Sequence, residues 1–169
     1  MEIISTKTIS EIVAEIESIL KVENLEIEIT DFTRPWGGFF VIKEKCVPIF
    51  LEQFFPEIEL STFGQFSKLS PKILIVAPNK RLSWQYHFRR AELWKLIAGE
   101  ASVAISETDE EKPEIALVLG KVLSLEKGVR HRLIGTENWG IVAEIWKHTD
   151  PDNPSDESDI VRVQDDFGR

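Results

Sequence analysis

The order of apolar and polar positions divides the chain into an N-terminal helix and a long run of short strands. Between residues 8 and 21, Ile9, Ile12, Val13, Ile16, Ile19 and Leu20 fall at helical spacing, which predicts an amphipathic helix with one buried stripe. Thr8 followed by Glu11 makes a capping box at its start. Leu25 to Thr30 alternates apolar with acidic or polar residues, as a half-buried strand does. Arg34-Pro35-Trp36-Gly37-Gly38 then breaks the chain before a second apolar stretch, Phe39 to Ile42. Pro48 and Pro56 bracket Ile49 to Phe55, a stretch that reads either as a short helix starting near Pro48 or as irregular structure.

From Pro71 onward the pattern is strand and turn. Ile73 to Val76 is β-rich and stops at Pro78-Asn79. Leu82 to Phe88, Trp94 to Ile97, Ala101 to Ile105, Ile115 to Leu119, Val122 to Leu125 and Ile141 to Trp146 each read as strands, with Gly120 and Gly128 as punctuation. Residues 106–114 are acidic and contain Pro113, so they read as a surface loop, as does the acidic segment Asp150 to Asp159. Many short strands at close spacing predict an all-β sandwich or barrel. The expected organisation is an N-terminal helix-and-strand appendage over residues 1–30 and a β-barrel domain over residues 31–169.

Length and composition are consistent with this. A chain of 169 residues, 43% hydrophobic and 29% charged, is long enough for one domain with a real core. No apolar run approaches the ~20 residues of a membrane span. Met1-Glu2-Ile3-Ile4 lacks the basic-then-apolar pattern of a secretory signal. The single cysteine, Cys46, cannot form an internal disulfide, so a reducing, cytoplasmic setting is expected. The net charge of −9 argues against general affinity for nucleic acid or anionic membrane. The charge is uneven, however. Lys80, Arg81, Arg89, Arg90 and Lys95 cluster around the lone acid Glu92, and Lys127, Arg130 and Arg132 follow later. A locally basic site on an acidic protein suits a small anionic substrate, although a solvated barrel rim can carry the same charges.

The chemistry sits on those same two segments. Gln85-x-His87, then Glu92, then Gly99 form the first; Gly120, Glu126-x-Gly128 and His131 form the second. Together Gln85, His87, Glu92 and His131 offer an amide oxygen, two imidazoles and a carboxylate, a donor set for zinc, manganese or iron. Side chains alternate along a strand, so Gln85 and His87 share a face with Arg81, Ser83 and Arg89 if the strand is regular. Trp84, Tyr86 and Phe88 take the opposite face, which a second sheet, the helix or a partner subunit must cover. Glu92 lies at odd spacing from His87 and needs a bend to point inward.

These segments resemble the two motifs of the cupin superfamily of small β-barrels, with Gln85 at the usual first histidine. The nearer resemblance is to the cupin domain of type II mannose-6-phosphate isomerases. It is carried by Arg34-Pro35-Trp36-Gly37, by Asn79 to Trp94 (NKRLSWQYHFRRAELW), by Gly128 to Leu133 (GVRHRL), and by Asp159-Ile160-Val161-Arg162 with Asp165 and Phe167-Gly168-Arg169. It spans about residues 31–42 and 72–169. Two positions near the ligands depart from that pattern: Arg89 stands for its second histidine, and Leu93 for the histidine after the glutamate. Asn79 replaces a glycine, and no Gly-rich nucleotide loop occurs in these residues, so guanylyl transfer is not expected of them.

The resemblance implies a cupin double-stranded β-helix, or jelly-roll barrel, with an α-helical appendage. It also implies a metal-dependent aldose–ketose isomerase converting mannose 6-phosphate to fructose 6-phosphate. The ion, zinc by resemblance, would be held by Gln85, His87, Glu92 and His131. Arg81, Arg89 and, one residue off the face of His131, Arg132 are the expected phosphate anchors. Asp159 and Asp165 are conceivable bases, though caps of the C-terminal strand suit them better. A homodimer through the Trp84–Phe88 face is a further expectation, since cupins commonly pair through an outer sheet. The competing readings are an isomerase of another sugar phosphate, such as a heptose phosphate, and a non-catalytic metal- or sugar-binding cupin.

Overall fold

A computed structural model describes residues 6–64 and 68–168. The stretch Met1 to Ile4 and Arg169 of the closing motif lie outside the described residues. Helix α1 (Ile9–Val22) begins at the capping box: the Glu11 amide donates to Thr8 Oγ1 at 3.3 Å, and the Thr8 amide donates to Glu11 Oε2 at 2.7 Å. Its stripe Ile12, Ile16 and Leu20 is buried. Strands β1 (Ile27–Arg34) and β2 (Gly37–Ile42) follow, then a helical turn over Glu44–Cys46 leading into α2 (Val47–Phe54). Proline sits in the first turn of α2, where its missing N–H costs nothing. So residues 49–54 are helical, resolving the ambiguity of that segment.

The remaining strands are β3 (Lys72–Val76), β4 (Trp84–Tyr86), β5 (Arg90–Ser106), β6 (Ile115–Ala116), β7 (Val122–Leu125), β8 (Arg130–His148) and β9 (Val161–Gln164). They form one antiparallel sheet in the order β1-β2-β3-β8-β4-β9, and β5 pairs with β6, β7 and β8. The long strands β5 and β8 run against each other through both halves of the barrel. Two separate strands were expected over Trp94–Ile97 and Ala101–Ile105. They are one strand, because Gly99 (φ +70°), opposite Gly140, bends the ladder without ending it.

Alternation along the central strands assigns two faces. Ile73 and Ile75 of β3 and Ile141, Ala143 and Ile145 of β8 face one way, into an apolar layer shared with α1 and α2. Leu74 and Val76, with Val142, Leu96 and Trp94, face the other way, into the barrel. The helices therefore cover the outside of the sheet, and the barrel interior is left for the site. A boundary at residue 30 falls inside β1, which pairs with β2 from Ile27 to Arg34. Among the described residues, no helix is long and apolar enough to cross a membrane.

Candidate metal centre

The site is assembled by register. Gln85 lies opposite His131 of β8 on one side and Arg162 of β9 on the other, so the three share a face of the sheet. One layer further, Trp94 lies opposite Glu144, and Glu144 opposite Lys72. Glu92 lies opposite Trp146. The bend that Glu92 requires falls at residues 87–89, between the end of β4 and the start of β5.

His87, Glu92 and His131 are each 2% exposed, and one ligand atom from each lies within 4.8 Å of the others. The His87 and His131 rings are 5.3 Å apart, centre to centre. His87 Nδ1 is 2.5 Å from the Asp159 carbonyl and His131 Nδ1 is 3.0 Å from the Val129 carbonyl. A carbonyl only accepts, so each Nδ1 carries the proton and each Nε2 keeps its lone pair. Both Nε2 atoms face Glu92: His87 Nε2 is 3.1 Å from Oε1, and His131 Nε2 is 3.4 Å from Oε2. Among the described residues, His131 Nε2 is buried without a hydrogen-bond partner. Acceptor atoms pressed together in a dry interior need a cation between them, and backbone carbonyls that fix the outer nitrogens are the usual support of metal-ligating imidazoles. These three residues suit a divalent metal. Gln85, opposite His131, would supply the fourth donor; its Oε1 accepts from Ser83 Oγ at 2.6 Å.

Arg90 supplies cationic charge to the same atoms. Its Nε donates to Glu92 Oε1 at 2.8 Å, its Nη2 lies 3.1 Å from His87 Nε2, and its guanidinium stacks 3.6 Å from the centre of the Trp146 ring. A bound ion would compete with it for Glu92 and His87. Burial opposes the ionisation of Glu92, but the His87 ring, when it is protonated in place of binding an ion, and the Arg90 guanidinium outweigh burial and hold the carboxyl well below the usual range. Glu144 behaves oppositely: burial, then the neighbouring Glu92 carboxylate, pushes its pKa up to about 8. The Trp94 indole N–H reaches both carboxyls, 3.1 Å from Glu92 Oε2 and 3.2 Å from Glu144 Oε1.

The cavity beside this cluster measures about 100 Å³. Its aromatic wall is Trp36, Phe39, Trp94 and Trp146, and its charged lining is Arg34, Lys72, Arg90, Arg162, Glu92, Glu144 and Glu157. Arg81, Arg89 and Arg132 are not in that lining. Arg81 Nε is 2.6 Å from Asp166, Arg89 binds Asn153, Pro154 and Asp156, and Arg132 is fully buried against Glu111 and Gln164. The alternation that placed Arg81 and Arg89 on the ligand face does not extend to them, because β4 is regular only over Trp84–Tyr86. The structure thus brings the expected metal ligands His87, Glu92 and His131 together and turns the expected phosphate anchors elsewhere.

Asp159 supports the centre. Its carboxylate accepts from the Phe88 amide at 3.0 Å, the Arg89 amide at 2.9 Å and Ser155 Oγ at 2.7 Å, while its carbonyl holds His87. Burial would raise its pKa, but those hydrogen bonds win and lower it. A carboxylate so occupied is a brace and a poor proton acceptor. His148, without motif context in the sequence, is buried and accepts the Ser155 amide on Nδ1 at 2.9 Å, bracing the same loop. Lys72 and Glu144 were missed because they sit on strands that read as core. The one available signal was Glu144 itself, an acid on the same face as Val142 and Trp146. Trp84 is 1% exposed and its Nε1 donates to the Asp109 carbonyl, so the 106–114 loop covers it within the chain.

Several known proteins are similar to this chain. A mannose-1-phosphate guanylyltransferase of Salmonella montevideo is 29% identical over 153 residues, covering 89% of this chain and 26% of its own length. This chain thus spans about a quarter of that relative. Among solved structures, procruciferin, an 11S globulin of Brassica napus, matches with a TM-score of 0.54 at 17% identity over 79% of this chain and 30% of its own. The capsular polysaccharide assembling protein CapF of Staphylococcus aureus matches with a TM-score of 0.50 at 13% identity, over 82% of this chain and 34% of its own. At such identities these structures establish the fold alone, which is that of a cupin. The family described as mannose-6-phosphate isomerase C-terminal matches residues 59–165, well over half of the chain, and to that family this chain belongs.

Proposed function

We propose that this chain carries a metal-dependent aldose–ketose isomerase acting on a sugar phosphate, interconverting mannose 6-phosphate and fructose 6-phosphate. The observation that carries the reading is the convergence of His87 Nε2, His131 Nε2 and the Glu92 carboxylate within 4.8 Å, with both imidazole lone pairs turned inward. Gln85 completes a donor set of nitrogen and oxygen, for which zinc is our choice. A divalent ion held there supplies Lewis-acid polarisation of the sugar carbonyl, which acidifies the adjacent C–H.

The rest of the reaction belongs to the side chains. The aromatic faces of Trp36, Phe39, Trp94 and Trp146 line the cavity, suit the C–H face of a sugar, and exclude water. The isomerisation carries one proton between C1 and C2, and this needs a carboxyl beside the substrate. Glu144 lines the cavity, is buried, and forms no ion pair among the described residues. In its ionised form, which a cation held by Glu92 favours by offsetting that carboxylate's charge, it is placed to accept that proton and return it to the neighbouring carbon, while the Trp94 indole N–H fixes its orientation.

A second reading, a sugar-phosphate-binding module without turnover, is favoured by the size of the cavity. About 100 Å³ is below the ~300 Å³ at which ligand sites commonly begin. An aldose–ketose assay on hexose and heptose phosphates, before and after chelation and after metal is restored, separates the two. The isomerase reading predicts turnover that chelation abolishes and a divalent ion restores. It also predicts that Glu144→Gln lowers kcat by at least ~100-fold with substrate binding retained. Turnover surviving complete metal removal contradicts the mechanism; tight binding without turnover in the metal-loaded protein establishes the module.

A further inference from the structure

Lys72 is a buried cation on an otherwise apolar strand. All of β3 is buried, and the Lys72 side chain is only 8% exposed. Its ammonium lies 4.0 Å from the centre of the Trp146 ring and 5.5 Å from that of Phe39. Such contacts recover part of the cost of burying an ammonium, but a buried charge also needs an anion. The anion it has is the carboxylate of Glu157, 2.6 Å away, from a side chain that is 76% exposed. Glu157 lies on the irregular segment between β8 and β9, whose neighbours Ser155 and Asp159 are tied down by hydrogen bonds. Rotation of the Glu157 side chain into water therefore releases Lys72 without moving the backbone.

Two more cations line the same cavity. Arg162 lies opposite Gln85 in register, and among the described residues it makes no ion pair. Arg34 is held at the rim by Asp31, 2.8 Å from its Nε, which leaves the outer nitrogens of the guanidinium for another partner. Glu157 lines this cavity from a largely exposed position, so its departure into water bares a cation at the cavity wall. A phosphoryl group carries up to about twice the charge of a carboxylate and three acceptor oxygens, so it is the stronger counter-ion for this cluster.

We propose that Lys72, flanked by Arg162 and Arg34, binds the phosphoryl group of the substrate, and that the Glu157 carboxylate is its intramolecular stand-in, displaced when phosphate arrives. This rests on the sugar-phosphate reading above and relocates the anchor from Arg81, Arg89 and Arg132, which acids and carbonyls already engage. The device gives selectivity: an uncharged sugar cannot displace Glu157, so free hexoses are turned away.

Calorimetric titration of the metal-loaded chain with inorganic phosphate at physiological ionic strength tests it without relying on turnover. Wild type binds. Lys72→Met weakens binding at least ~10-fold and Arg162→Gln several-fold, whereas Glu157→Gln tightens it several-fold. In the double variant Lys72→Met with Glu157→Gln, the gain from Glu157→Gln disappears, as coupled partners require. Lys121→Gln, which removes one charge from an exposed turn, has no effect. No phosphate binding by wild type, unchanged affinity in a natively melting Lys72→Met, or an equal loss in Lys121→Gln overturns the proposal. If Lys72→Met does not fold, Glu157→Gln decides, and an unaltered affinity there overturns it. A chain that follows this pattern but does not isomerise retains the anion site and loses only the isomerase.

Discussion

Leu93, where the related pattern has a histidine, turns away from the cavity and packs in the apolar layer beneath the helices. Its neighbours Glu92 and Trp94 point the other way, as alternation requires. Arg89, the other departure, reaches the loop at Asn153–Asp156. Neither departure therefore touches the ligand cluster. Leu93→His restores the related pattern without adding a ligand: metal content stays unchanged, and urea unfolding shows a loss of about 1–3 kcal/mol for a polar ring placed in an apolar layer. A gain in metal stoichiometry would show instead that position 93 reaches the site. The candidate cluster of His87, Glu92 and His131 was legible in the sequence, because Gln-x-His and the later Glu and His are unusual types at ordered spacing. Lys72 and Glu144 were not, since inward orientation of a charged residue on an apolar strand depends on which face the helices cover.

The elements that carry the site are the long strands β5 and β8, bent where Gly99 meets Gly140. A Cβ on Gly140 would lie 2.6 Å from the Glu100 carbonyl oxygen and 2.9 Å from both Ala101 Cβ and Val76 Cγ1. Two of those contacts are with backbone or a rigid β-carbon, so little can give way. Gly140→Ala is expected to destabilise by about 1–3 kcal/mol, read as a lower urea midpoint with an unchanged slope. A midpoint equal to wild type would mean that the corner relaxes freely. The same bend explains why the pattern predicts two strands where one runs, since Gly99 interrupts the alternation without ending the ladder. The opposite case is β4, where seven alternating residues suggest a long strand and only Trp84–Tyr86 is regular. Helix α1 was fully legible, because its cap and its stripe are both local signals.

Across the whole molecule, the C-terminal segment returns over the barrel mouth and ties itself to it. Asp159 braces His87, Asp156 meets Arg89, and Asp166 takes both Arg81 Nε at 2.6 Å and Nη2 at 2.9 Å. Hydrogen bonds from Arg81 and then Gln164 hold the Asp166 carboxyl far below its ordinary 3.8. Its folded pKa is depressed, so this pair contributes fully above about pH 4 and its contribution is lost as pH falls toward the folded value. For a partly exposed pair the contribution is about 1 kcal/mol or less. Melting curves of wild type and Asp166→Asn should differ at pH 7 and converge as pH drops below 4; a gap that widens in acid would contradict the assignment. Within the basic windows of this acidic chain, Arg81 and Arg89 are matched by acids of this returning segment, Arg130 and Arg132 by Asp109 and Glu111 of the 106–114 loop, and Arg90 and Lys95 by Glu92 and Glu57, while Arg34 at the end of β1, Lys72 of β3 and Arg162 of β9 line the cavity. The central claim remains that buried His87, Glu92 and His131 hold a divalent ion. Elemental analysis of the folded, purified chain reconstituted with zinc and dialysed tests it most directly. The account predicts about one ion per wild-type chain and close to none for a natively folded His131→Ala; a wild-type chain that retains no metal, or a His131→Ala chain that retains as much, would contradict it.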